Sequence, residues 1–86
     1  MHMQYYKNLS VEQISETEFL LRVTDRKLAG ELRQRFGIFG RYIAELKPIK
    51  DVNGEVLEDL FKISGMDSVV FNRHFNTLAT ELFQPI

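Results

Sequence analysis

One apolar phase runs unbroken from Leu28 to Leu46. At about 100° per residue, Leu28, Leu32, Phe36, Phe39, Ile43 and Leu46 fall within an arc of about 80°. Arg26, Gly30, Arg33, Gly37, Gly40, Arg41 and Ala44 take the other side. A stripe that holds its phase this long predicts a single helix over 25–47, capped by Thr24 and stopped by Pro48. Such a helix would be about 34 Å long. A chain of 86 residues has room for one core and not two, so a rod of that length would dictate the arrangement around it. Gly37 and Gly40 oppose it, each costing about 1 kcal/mol against alanine inside a helix. A kink or a break there is the open alternative.

The flanking segments supply the rest of the fold. Phe19, Leu21 and Val23 alternate with Leu20 and Arg22, which is strand period. Residues 11–24 therefore read as a hairpin connected through Ser15-Glu16-Thr17, with a short helix from Ser10 as the rival. Val56, Leu57, Leu60, Phe61 and Ile63 fit a helix from Asn53 to Gly65, while Asn53-Gly54 also reads as a hairpin turn. We favour the helix because Glu55, Leu57, Glu58 and Leu60 are better helix than strand formers. Phe71, Phe75, Leu78 and Leu82 recur at helical spacing and predict a closing helix from Asp67 or Ser68 to Phe83, ended by Pro85. The expected fold class is α+β: an N-terminal β-hairpin packed on a small helical bundle with one long central helix. Residues 1–86 read as a single domain, with Met3 as the native start and Met1-His2 left out of the functional argument.

Catalysis is poorly supplied. There is no cysteine, so a thiol nucleophile, a zinc ribbon or a disulfide framework is excluded. His74 is the only histidine after His2, and Asp67 and Glu81 share its helix face at seven-residue spacing. That is about 10.5 Å per step along the axis, too wide for a shared proton or metal ion. Glu58-Asp59 point about 100° apart on a helix and do not converge. No phosphate-binding glycine loop and no calcium loop is present. The expectation is a non-enzyme with no cofactor, no metal and no small-molecule substrate. The longest apolar runs, Phe19-Leu20-Leu21 and Val69-Val70-Phe71, are far shorter than a membrane span. A cysteine-free chain of this kind is expected in the cytoplasm, away from membranes.

Charge is unevenly spread: residues 22–50 carry +5, between flanks of −2 and −4. Arg26, Arg33 and Arg41 share the side opposite the apolar arc, and a basic stripe of this kind is one way to bind phosphate. Gly37-Ile38-Phe39-Gly40, followed by Arg41-Tyr42-Ile43-Ala44-Glu45-Leu46, is similar to the KH RNA-binding module. There a G-x-x-G loop between two helices clamps the nucleic-acid backbone. The resemblance covers about ten residues, and Ile38-Phe39 stand where that family usually holds a basic residue. The resemblance implies nucleic-acid binding at the Gly37–Gly40 turn, and together with the basic segment the alternative binding site is Arg26, Arg33, Arg35, Gly37, Gly40 and Arg41.

Seven phenylalanines and three tyrosines are many for one small core, and exposed apolar patches mark partners. The leading expectation is a non-catalytic protein-interaction module, a regulator, adaptor or assembly factor, meeting a protein partner or a second copy of itself. Its expected interface residues are Phe36, Phe39, Tyr42, Phe75 and Phe83. RNA binding is the alternative.

Overall fold

The computed structural model describes residues 3–83, with side chains from Tyr6 onward. The elements are β1 (Met3–Tyr6), β2 (Leu9–Ser15), β3 (Glu18–Val23), α1 (Arg26–Arg33), β4 (Ile43–Glu45), β5 (Ile49–Lys50), β6 (Val56–Ser64) and α2 (Ser68–Leu82). All strand pairs are antiparallel. The order across the sheet is β1-β2-β3-β6-β4, and β5 continues the β4 edge along β6.

The class is α+β, and the hairpin expected over 11–24 is present as β2–β3, with Val11 opposite Leu21 and Gln13 opposite Phe19. Alternation does the sorting. Leu9, Val11, Phe19, Leu21, Val23, Phe61 and Ile63 are buried on one face, where Leu28, Ala29 and Leu32 of α1 and Phe71, Phe75 and Leu78 of α2 join them in one core. Residues of opposite parity, such as Leu20, Arg22, Leu60 and Lys62, are half-buried. Both helices thus share one face of the sheet. Asp67 caps α2, its Oδ1 accepting from Val70 N at 2.9 Å. Phe71 stacks on Phe19 with ring centroids 3.9 Å apart. Pro85, expected to end this helix, lies outside the described residues, as do Met1 and His2.

The long central helix is not formed. α1 ends at Arg33, and two successive 3-10 turns, Phe36–Ile38 and Gly40–Tyr42, lead into β4. Their amides bond three residues back: Ile38 N to Arg35 O, Phe39 N to Phe36 O and Tyr42 N to Phe39 O. Gly40 has φ +60°, a left-handed conformation that no α-helix interior accepts. Phe39 is buried all the same, because its three-residue step from Phe36 serves a 3-10 turn as well as a helix, and Ile43 is buried as the first residue of β4, opposite Ile63.

The helix expected from Asn53 to Gly65 is likewise not formed: Val56–Ser64 is the strand β6. Asp51 makes the turn: its Oδ1 accepts from Asn53 N at 2.8 Å and from Glu55 N at 2.9 Å, and Gly54 closes it at φ +84°. β6 then pairs with β3 on one side and with β4 and β5 on the other. In place of a bundle, the described residues hold two α-helices on one sheet.

Candidate interaction surface

The arginines of the basic segment are placed by α1 and the turns after it. Among the described residues Asp59 is the only buried charged side chain, 2% exposed. It stands beside Val23 on the helix-covered face of β6. Arg33 Nη2 donates to its Oδ1 at 3.0 Å. The same guanidinium forks onto Glu45 of β4, with Nε 3.0 Å from Oε1 and Nη2 2.6 Å from Oε2. These hydrogen bonds hold the Glu45 carboxyl below its ordinary value of 4.5. Arg26, two turns earlier on α1, sets its Nε 3.3 Å from Asp59 Oδ2. That oxygen accepts no hydrogen bond, so Arg26 contributes charge there without an aligned N–H. The cluster clasps α1 to both β6 and β4.

Arg35 turns the other way. Its Nη1 donates to Glu31 O at 2.9 Å and its Nε to Glu81 Oε1 at 3.2 Å, tying the end of α1 to α2. Arg41 lies with its guanidinium carbon 5.3 Å from the centre of the Tyr42 ring and pairs with no acid among the described residues. Gly37 and Gly40 are exposed, and a Cβ at either would meet open space. The Gly37–Gly40 turn joins a helix to a strand, whereas the KH loop joins two helices. The structure therefore distributes the four arginines among three separate settings, and three of them already hold carboxylates.

The expected interface aromatics are also dispersed. Phe39 and Phe75 are buried, at 3% and 1% exposure. Phe36 and Phe83 pack half-buried against the core. Tyr42 is exposed, its ring lying against Gly65, where an added Cβ would come within 3.0 Å of Tyr42 Cδ1. All seven phenylalanines are in or against the core. His74 is half-buried beside Phe39, ring centroids 6.2 Å apart. Asp67 is occupied as a helix cap and Glu81 by Arg35. Among the described residues no group of three metal-binding side chains gathers, and no helix is long and apolar enough to cross a membrane.

Apolar exposure concentrates elsewhere. β5, the 51–55 turn and the start of β6 form a hairpin arm at one end of the sheet. Leu46, Ile49, Val52 and Leu57 are exposed by 38%, 38%, 101% and 52%. They are half of the large apolar side chains that remain exposed among the described residues. Ile49 pairs with Glu58 and Lys50 with Val56, so Leu57 is the extra residue of a β-bulge. A bulged residue leaves the ladder and is re-aimed, which accounts for the exposure of Leu57. The reading from sequence missed these four residues. The Asn53-Gly54 turn signal, taken with its apolar flanks, was the cue that would have found them.

No protein family, no curated protein and no solved structure matches the chain.

Proposed function

We propose that this chain is a non-catalytic protein-interaction module, a regulator, adaptor or assembly factor, whose contact surface is the hairpin arm 46–57. We place its action in the cytoplasm, a reading that rests on the cysteine-free composition. One observation carries the proposal: Val52 and Leu57 stand exposed at the end of a structured, bulged hairpin. A small domain that packs all its phenylalanines in or against its core leaves such side chains in water at a cost, about 1.5–3 kcal/mol for each one fully exposed rather than buried. Clustered apolar exposure marks contact surfaces. The basic segment supports the RNA alternative less well, because Arg26, Arg33 and Arg35 hold carboxylates within the chain.

The test is quantitative affinity capture, with wild type compared against a Val52→Asp/Leu57→Asp variant of equal melting temperature. Binding that is retained by the wild type and lost from the variant is expected. The same retained set for both, or none for either from a chain that is also monomeric in solution, sinks the proposal.

A further inference from the structure

The arm bears charges as well as apolar side chains, and its own folding leaves them unmatched. Lys47 and Lys50 lie on the entering side and Glu55 on the leaving side, and none of the three makes an ion pair among the described residues. Elsewhere on the sheet the opposite holds: Arg22 lies between Glu12 and Glu58, and Lys62 pairs with Glu18 at 2.9 Å. Asp51, also on the entering side, accepts from Asn53 N and Glu55 N, so the arm carries exposed apolar side chains together with charges of both signs that its own folding leaves without ion pairs.

Resting on the interaction reading above, we propose that the occupant of this surface is a second copy of the chain, joined arm to arm about a two-fold axis. In a two-fold contact, residue i meets j of the partner and j meets i. A surface that holds both signs beside apolar side chains can match each charge with its opposite on the second copy in that arrangement. Lys47 and Lys50 of one copy face the partner's Glu55, and the reverse contact repeats it. Val52 and Leu57 close on their counterparts between.

The mode of contact also follows. Two β5 edges aligned antiparallel about Pro48 and Ile49 would set Lys47 against the partner's Lys50. Pro48 has no N–H to offer a ladder. Edge lysines and prolines of this kind prevent strand-to-strand joining. The arms therefore meet through side chains and add no strand to either sheet. A contact confined to 46–57 is small, which belongs with weak, concentration-dependent association.

Sedimentation equilibrium over a wide concentration range tests this. The wild type is expected to dimerise reversibly, and Val52→Asp to remain monomeric. Lys50→Glu and Glu55→Lys singly are each expected to weaken the dimer by about tenfold, and the double reversal to restore most of it. Because the chain has no cysteine, Asn53→Cys supplies a second readout that does not depend on tolerance of the charge reversals. Oxidation should link Asn53→Cys chains in pairs and leave Glu16→Cys chains, altered at the β2–β3 turn, largely unlinked. A wild type that is monomeric throughout overturns the second-copy assignment and leaves the capture experiment to decide the interaction reading on its own. A dimer indifferent to Val52→Asp and to both reversals overturns the arm as its seat.

Discussion

Asp59 is where the chain accepts the cost of a charge in its core. A carboxylate 2% exposed is tolerable only with a cation against it, and Arg33 supplies the aligned donor. Arg33→Met keeps an apolar stem but removes the guanidinium that lies over the Phe61 ring and strands the carboxylate, with only Arg26 nearby. Equilibrium urea unfolding should show a loss of about 3 kcal/mol. Adding Asp59→Leu should recover part of that loss, since an apolar pair needs no compensation. A single variant within about 1 kcal/mol of wild type would mean that water already solvates Asp59. The second carboxylate of the clasp gives a pH signature. Hydrogen bonds from Arg33 hold Glu45 below 4.5, so it binds its proton less readily folded than unfolded. Its contribution is complete above that value and is lost as pH falls through the lower, folded one. Glu45 is 36% exposed, so the pair contributes only about 0.5–1 kcal/mol at neutral pH. Unfolding curves of wild type and Glu45→Gln should differ by that amount near neutrality and converge in acid. Curves that stay parallel down to the lowest pH would refute this account of Glu45.

The segment 34–43 shows how one pattern serves two structures. Phe36, Phe39 and Ile43 recur at helical spacing, and what decides between a helix and 3-10 turns is backbone freedom at the glycines. Gly40, at φ +60°, has no atom within 4 Å of an added Cβ. The cost of Gly40→Ala is therefore purely conformational, about 1–2 kcal/mol. Gly30 sits inside α1 with equally open space, and Gly30→Ala should stabilise by about 0.5–1 kcal/mol. Thermal melts of the two variants should move in opposite directions. A Gly40→Ala protein as stable as wild type, with increased helical circular dichroism, would show that the expected long helix is within reach after all. The strand β6 was misread for a related reason. Leu60 is apolar on the half-buried face while Asp59 is charged on the core face, so the alternation that identifies a strand is inverted at that pair. The β2–β3 hairpin and α2 were legible because each segment carries its own period and its own turn or cap. The Arg33–Asp59–Glu45 clasp was not, since its members lie 12 to 26 residues apart and come together only through sheet order.

At the scale of the whole molecule the two ends of the sheet have different duties. The covered face and its ionic clasp hold the domain together, and the exposed apolar side chains of the arm lie outside that core. Short mixed-sequence RNA, followed by fluorescence anisotropy, should show no saturable binding even at low salt. Steeply salt-dependent binding lost on Arg41→Ala would revive the nucleic-acid reading. The dimer proposal adds a thermodynamic requirement. A partner that binds only the folded chain stabilises it by mass action, and when the partner is the chain itself, stability must rise with protein concentration. Where the dimer dominates, each tenfold increase adds about 0.7 kcal/mol per chain, or about 3–6 °C in Tm for a domain of this size. At concentrations where monomers dominate, Tm should be flat. Val52→Asp should be flat everywhere and should match the wild type in the dilute limit, because the side chain is 101% exposed and supports nothing in the monomer. Calorimetry across dilution reads both arms of the prediction. A wild-type Tm independent of concentration, equal to that of Val52→Asp throughout, would leave the arm without a second copy to bind. A variant that melts lower even when dilute would assign Val52 to the stability of its own hairpin instead.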